Sequence, residues 1–200
     1  ICMGKISQRI VCFISRNMTI DDEEMLDVYK YGIEITLSSV LNFVLIIISS
    51  LILRDLSAGL IFMAVFIFLR SYTGGYHAET YLKCNIAFVC TFFLTFLIGR
   101  FLYSFNYGIY ASGVMLVLSY IPIWFFSPVK NRHKFLSAEK IKRSRIISSV
   151  VYLLSAILAM VLCINDIWYG YLLAATDSAI AELILIEIFM QKKGYHPIGD

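Results

Sequence analysis

The sequence predicts an all-α, polytopic membrane bundle of about six spans, preceded by an N-terminal amphipathic helix. Three observations carry that class. Apolar residues make up 60% of the 200-residue chain, against roughly 45–50% in soluble domains, and the mean hydropathy is +0.78. Charged residues are only 16%, against about 25%. The apolar residues gather into runs of span length separated by short polar segments, and a soluble chain of this size has too little interior to hide them.

The elements follow in order. Residues 6–16 (ISQRIVCFISR) put Ile6, Ile10, Phe13 and Ile14 on one helical face, with Lys5, Arg9 and Arg16 elsewhere. That pattern fits a short helix lying in the membrane interface and equally one docked on protein. Thr19 followed by Asp21, Asp22, Glu23 and Glu24 marks a helix N-terminus, because carboxylates favour the positive end of the macrodipole. That helix runs on into a first span over Ile33–Leu53, close to the roughly 20 residues a crossing needs. Residues 1–30 form a cytoplasmic or interfacial N-terminal region.

Arg54 and Asp55 mark a tight turn. The next apolar run, Leu56–Leu69, covers about 21 Å as a helix, short of the ~30 Å hydrocarbon core. Either the helix borrows polar residues, or the polar segment beyond it begins below the membrane surface; the second is expected, since irregular backbone at depth can line a wet cavity. Further spans fall at Asn85–Phe101, Ile109–Phe126, Ile146–Ile164 and Trp168–Met190. Residues 127–145 are a basic loop, and residues 1–200 are expected to form a single domain.

Charge sets orientation and excludes some functions. Six spans put both termini on one side, and only Arg54 and Arg100 fall on the other, leaving fifteen of the seventeen Lys and Arg residues together. By the positive-inside rule the termini, the Arg70–Cys84 loop and the basic loop face the cytoplasm of a multi-pass cell-membrane protein. A net charge of +3, confined to loops, reflects topology in the lipid bilayer and does not point to nucleic acid. Five irregularly spaced cysteines without a C-x-x-C pair fit a reducing compartment. The early residues lack the apolar core and cleavage site of a signal peptide, so no cleavable leader is expected.

The chemistry gathers in the polar island Arg70–Cys84, RSYTGGYHAETYLKC. Cysteine peptidase chemistry needs a thiolate, a base that generates it and donors for the tetrahedral oxyanion. Cys84 and His77 supply the first two. Seven residues apart, they would be separated by about 10.5 Å of rise on an unbroken helix, so contact requires a turn, which Gly74-Gly75 permits. Cys84 in the first turn of a helix, beside Arg70, Lys83 and His77, is in surroundings that favour a thiolate. Backbone N–H groups of Gly74 and Gly75, with Arg70, are candidate oxyanion donors, and Glu79 is a candidate to orient His77. From Cys84, the small or polar Ala87, Thr91 and Thr95 recur at helical spacing and are expected to turn the thiol inward.

Plainer readings exist for each residue. A lone interfacial histidine is usually structural, and a cysteine in an apolar protein is usually a small hydrophobe. The His77-x-Glu79 spacing is that of zinc deaminases, but their P-C-x-x-C partner is absent, so no metal or other cofactor is expected. His133 and His196 lack comparable company.

The pattern R-x-x-x-G-G-x-H-x-x-x-x-x-x-C at the end of a short span resembles the accessory gene regulator B (AgrB) family, membrane endopeptidases of peptide quorum sensing in Gram-positive bacteria. Chain size, the amphipathic N-terminal region, the spans and the Pro-containing basic segment SPVKNRHK agree with that resemblance. It implies Cys84 as nucleophile, His77 as its partner, and Arg70 and Gly75 as residues required for activity. It further implies cleavage of a small AgrD-like precursor peptide toward its C-terminal end. The precursor's own cysteine then takes the acyl group, closing a thiolactone. Family precursors carry an acidic tail, for which Lys130, Arg132, Lys134, Lys140, Lys142, Arg143 and Arg145 are candidate receivers; the plain alternative is a positive-inside anchor.

The sixth span carries Asp177, Glu182 and Glu187, and intramembrane carboxylates are functional suspects by default. Glu187 is expected at the interface, near Lys192 and Lys193. A rival reading is a non-catalytic peptide transporter using Asp177 and Glu182; another is a membrane scaffold in which Cys84 and His77 merely pack. Small residues four apart, such as Ala174/Ser178, Ala175/Ala179 and Ser155/Ala159, suit helix contacts or a homodimer.

Overall fold

The computed structural model describes residues 23–74, 81–129 and 138–192, which form six α-helices and no strand. The helices are α1 (Glu23–Ile52), α2 (Leu56–Thr73), α3 (Tyr81–Ser104), α4 (Gly108–Phe126), α5 (Ala138–Ile164) and α6 (Trp168–Lys192). The amphipathic helix expected over residues 6–16 lies outside the described residues. The chain divides into two compact units, Ile1–Leu45 and Ile46–Asp200. The boundary falls inside α1, and α2 to α6 all belong to the second unit.

The surface is apolar, unlike that of a soluble protein, and the largely apolar interior also holds buried polar side chains. Phe68, Phe101, Val117 and Leu154 are more than 60% exposed, while Ser50, Thr95, Ser112, Ser148, Thr176 and Asp177 are buried. Lipid tails solvate the first group as well as a protein core would, and the second group must find partners away from lipid. Among the described residues, five helices are long and apolar enough to cross a bilayer, over Gly32–Ile52, Leu56–Thr73, Leu82–Ser104, Gly108–Phe126 and Glu139–Ile164. The fold is thus an all-helical multi-pass membrane bundle.

The exception by composition is α6, and packing explains it. This helix is the hub, touching α2, α3, α4 and α5, and every residue from Tyr171 to Ser178 is buried. Other helices, not lipid, surround its polar stretch. Ser178 Oγ accepts from Ser119 Oγ of α4 at 3.0 Å, and Asp177 Oδ1 accepts from Ser155 Oγ of α5 at 3.1 Å. Two glycines permit the close approach. A Cβ on Gly99 of α3 would lie 3.0 Å from the Leu172 backbone, and one on Gly170 would lie 2.6 Å from the carbonyl oxygen of Ala159. Ala174, Ala175 and Ser178 are likewise buried inside this bundle, so they serve contacts within the chain.

One end of the bundle is tied together by Asp55. Its side chain caps α2, accepting from the Ala58 N–H at 3.0 Å. It also accepts from Arg100 Nη2 of α3 at 3.2 Å and from Tyr169 Oη of α6 at 3.2 Å. Arg100 in turn lies over the Trp168 ring, 3.9 Å from its centroid. The Arg100 side chain is 45% exposed, so solvent screens the ion pair and leaves it worth little, whereas loss of an N-cap costs about 1 kcal/mol. Asp55→Ala is accordingly expected to destabilise the bundle by about 1–2 kcal/mol, and Arg100→Ala by clearly less. Thermal melts of both variants in detergent check that ranking.

Candidate active site

The functional island begins inside a helix. The apolar run Leu56–Leu69 continues as α2 through Arg70, Ser71, Tyr72 and Thr73, eighteen residues or about 27 Å. The expectation that irregular backbone starts at Arg70 is therefore not met; the helix borrows the polar residues. It can do so because their side chains are satisfied locally. Ser71 Oγ donates to the Ile67 carbonyl at 2.6 Å, Thr73 Oγ1 donates to the Gly74 carbonyl at 3.1 Å, and Arg70 lies over the Phe66 ring, 5.4 Å from its centroid.

Gly74 ends α2 with φ 69° and ψ −152°, a region essentially reserved for glycine. Its N–H donates to the Arg70 carbonyl at 3.0 Å, so a role as oxyanion donor requires it to leave that bond. A Cβ here would meet the Val129 carbonyl oxygen at 3.4 Å, an ordinary contact, which makes the barrier to substitution conformational. Gly74→Ala is expected to cost about 1–3 kcal/mol, measured as a lower melting temperature.

Beside Gly74 sits the segment that leaves α4. The Val129 N–H donates to the Thr73 carbonyl at 3.0 Å, and Arg145 Nε of α5 donates to the Ser127 carbonyl at 2.9 Å. Ser127 and Ser148 share a hydrogen bond of 2.9 Å. Val129, the last described residue before the basic segment, is thus held against the end of α2.

Cys84 lies in the first turn of α3, where a developing anion meets the positive end of the helix. Its facing is fixed by an aromatic ladder. Phe62 of α2 meets Phe92 of α3 with ring centroids 5.1 Å apart, and Phe66 meets Phe88 at 5.0 Å. Each step advances four residues along α2 and retreats four along α3. The next step on the same faces sets Arg70 opposite Cys84. Arg70 is within electrostatic reach of Cys84, and of Glu187 of α6 as well. The thiol thus looks toward α2 along the 84–88–92 face, while of the expected Ala87–Thr91–Thr95 stripe only Thr95 is fully buried.

Other candidate residues divide by position. His77, Gly75, Glu79, Lys130, Arg132 and Lys134 lie outside the described residues. Lys140, Lys142 and Arg143 are exposed at the start of α5, while Arg145 binds the Ser127 carbonyl. Asp177 is fully buried and Glu182 is exposed, so these two carboxylates occupy different faces of α6 and do not line one groove. Glu187, which the sequence suggested at the interface, is 5% exposed. The antiparallel phase of α3 and α6, set by Gly99, is the signal that would have found it.

Comparison with known proteins identifies related chains. A family model described as Accessory gene regulator B matches residues 7–192. An AgrB-like protein of Lactiplantibacillus plantarum is 31% identical over 155 residues, 74% of each chain. AgrB-like protein 2 of Clostridium perfringens strain 13 is 24% identical over 171 residues, covering 82% of this chain and 79% of that one. A further AgrB-like protein, from Clostridium perfringens strain SM101, is 25% identical over 155 residues, covering 74% and 72%. No solved structure matches the chain.

Proposed function

The chain belongs to the accessory gene regulator B family, and from that premise we propose that it is a membrane-embedded cysteine endopeptidase acting on a small AgrD-like precursor peptide. The observation that carries the reading is the register of α2 against α3, which sets a guanidinium opposite a first-turn thiol. His77 takes the proton of the Cys84 thiol, and the sulfur attacks the scissile carbonyl. Arg70 faces the oxyanion that develops. Collapse expels the C-terminal fragment as an amine, which takes the proton from His77, and leaves an acyl thioester on Cys84.

The second half exchanges one thioester for another. The precursor's own cysteine thiol gives its proton to His77 and attacks the acyl carbon; the Cys84 sulfur leaves and is reprotonated. One C–S bond forms as another breaks, so the step is close to isoenergetic, whereas hydrolysis is strongly downhill. Water must therefore be kept from the acyl group, which a site between the ends of packed helices supports. Val129, in the first residues of the basic loop, is hydrogen-bonded beside Gly74, which supports that loop as the receiver of an acidic precursor tail. The site is assigned to the cytoplasmic side because the positive-inside rule puts the Lys- and Arg-rich loops there.

The test is reconstitution of the protein in liposomes with the precursor encoded beside its gene. The released N-terminal fragment is expected to be lighter by one water than the free acid, as ring closure requires. Only the free acid would overturn thioester exchange, and no cleavage at all would overturn the endopeptidase. Transport without cleavage, lost on neutralising Asp177 or Glu182, would favour an exporter instead.

A further inference from the structure

Glu187 is a carboxylate on the hub helix that the cleavage mechanism does not use, and its place in the bundle is specific. It is 5% exposed. Oε1 accepts from Gln191 Nε2 at 2.9 Å, but Oε2 is buried and has no hydrogen-bond partner among the described residues. A buried carboxylate oxygen in that condition is costly unless a positive charge answers it.

Helix register shows which charge is within reach. Gly99 of α3 packs against the backbone of Leu172 of α6, and the two helices run antiparallel. Fifteen residues back from Gly99 is Cys84, and fifteen forward from Leu172 is Glu187, so both lie at one level, about 22 Å along the bundle. A second pair of helices gives an independent level within one turn of it. Tyr169 of α6 bonds Asp55 at the start of α2, and these helices run parallel. Fifteen residues beyond Asp55 is Arg70, and fifteen beyond Tyr169 is Ile184, one turn before Glu187. Arg70, Cys84 and Glu187 therefore lie within about one turn of the same level at one end of the bundle, on three helices. Each of α2 and α3 packs against α6, and Cys84 and Glu187 are both among the groups within electrostatic reach of Arg70.

We propose that Glu187 is a positioning residue that holds the Arg70 guanidinium across from Cys84. Arginine carries five N–H donors in a fixed fork, so a carboxylate can fix one edge while another stays aimed at the thiol and at the oxyanion formed there. Removing that carboxylate's charge lets the guanidinium shift along its long stem, and catalytic charge stabilisation is lost when the donor is displaced by even about 1 Å. The inference rests on the reading of Cys84 as the nucleophile.

The test is a double-mutant cycle on the full chain in liposomes, measuring single-turnover precursor cleavage and, separately, precursor binding. Glu187→Gln keeps shape and removes charge; it is expected to slow cleavage between about tenfold and a hundredfold, with binding and melting temperature unchanged. Glu187→Asp is expected to recover much of the rate. In an Arg70→Lys background, Glu187→Gln is expected to add less than about a twofold loss, because it acts through Arg70. Wild-type cleavage by Glu187→Gln would overturn the proposal, and so would losses that multiply in the double variant. Loss of folded protein in both Glu187→Gln and Glu187→Asp would assign Glu187 to bundle stability and overturn it too. Cleavage persisting in Cys84→Ala would instead remove the nucleophile reading itself, an outcome separate from any result at Glu187.

Discussion

Cys84→Ala is expected to lower precursor cleavage at least about a thousandfold, the scale on which loss of a nucleophile acts in peptidases of this kind. The effect should be confined to chemistry. Cys84 is only partly buried, in the first turn of α3, and the packing of that helix against α2 is carried by Phe88 and Phe92 further along. Alanine at 84 removes one sulfur and leaves the ladder whole, so the variant should insert, accumulate and bind precursor as the parent does. Cys84→Ser should be nearly as inactive, because a hydroxyl is a far weaker nucleophile than a thiolate. His77→Ala should match them, since nucleophile and base act as one unit and their losses do not add. By contrast Cys90, exposed on α3, and Cys163, buried in α5, should be replaceable by alanine with cleavage retained. Immunoblots of precursor processing in cells, with membrane levels of each variant measured in parallel, check the whole set.

The second large effect belongs to Arg70. Removing one donor to a developing oxyanion typically costs about a hundredfold to a thousandfold in rate, and Arg70→Gln is expected to fall in that range. Binding and chemistry separate the causes. If Arg70 acts on the transition state, Arg70→Gln slows single-turnover cleavage while the precursor concentration for half-saturation stays within about threefold. Arg70→Lys retains the charge but not the fork of donors, and should recover only part of the rate. A variant that binds precursor poorly but cleaves what it binds at the parent rate would move Arg70 to substrate binding.

How much of the fold and site was legible in the chain depends on which force decides each feature. Spans were legible because apolar runs of crossing length must be helical in lipid, where each backbone group has to be satisfied within its own segment. The predicted Ile109–Phe126 and Trp168–Met190 differ from the observed helices by only one or two residues at an end. Asp55 was legible as a turn residue, though not as the point where α3 and α6 also attach. The reach of α2 was not legible, because hydropathy falls at Arg70 whereas the helix stops only where Gly74 takes a left-handed backbone. The burial of Glu187 was not legible for a related reason. Two lysines nearby in sequence suggested an interfacial carboxylate, but α6 is the hub of the bundle, and the faces of a hub helix are set by its neighbours and not by its own composition. Arg70 opposite Cys84 needed the partner helix as well; each phenylalanine alone looks like any lipid-facing aromatic, and only their pairing reveals the register.

Mass spectrometry of the protein stopped in mid-reaction, with a precursor whose own ring-forming cysteine is replaced by alanine, tests the central claim most directly. Without the second thiol the acyl group has nowhere to go except slowly to water. The account predicts the mass of the N-terminal precursor fragment, less one water, on the proteolytic peptide that contains Cys84. Cleavage without any adduct on that peptide, or an adduct on Cys90 or Cys163 in its place, would contradict it.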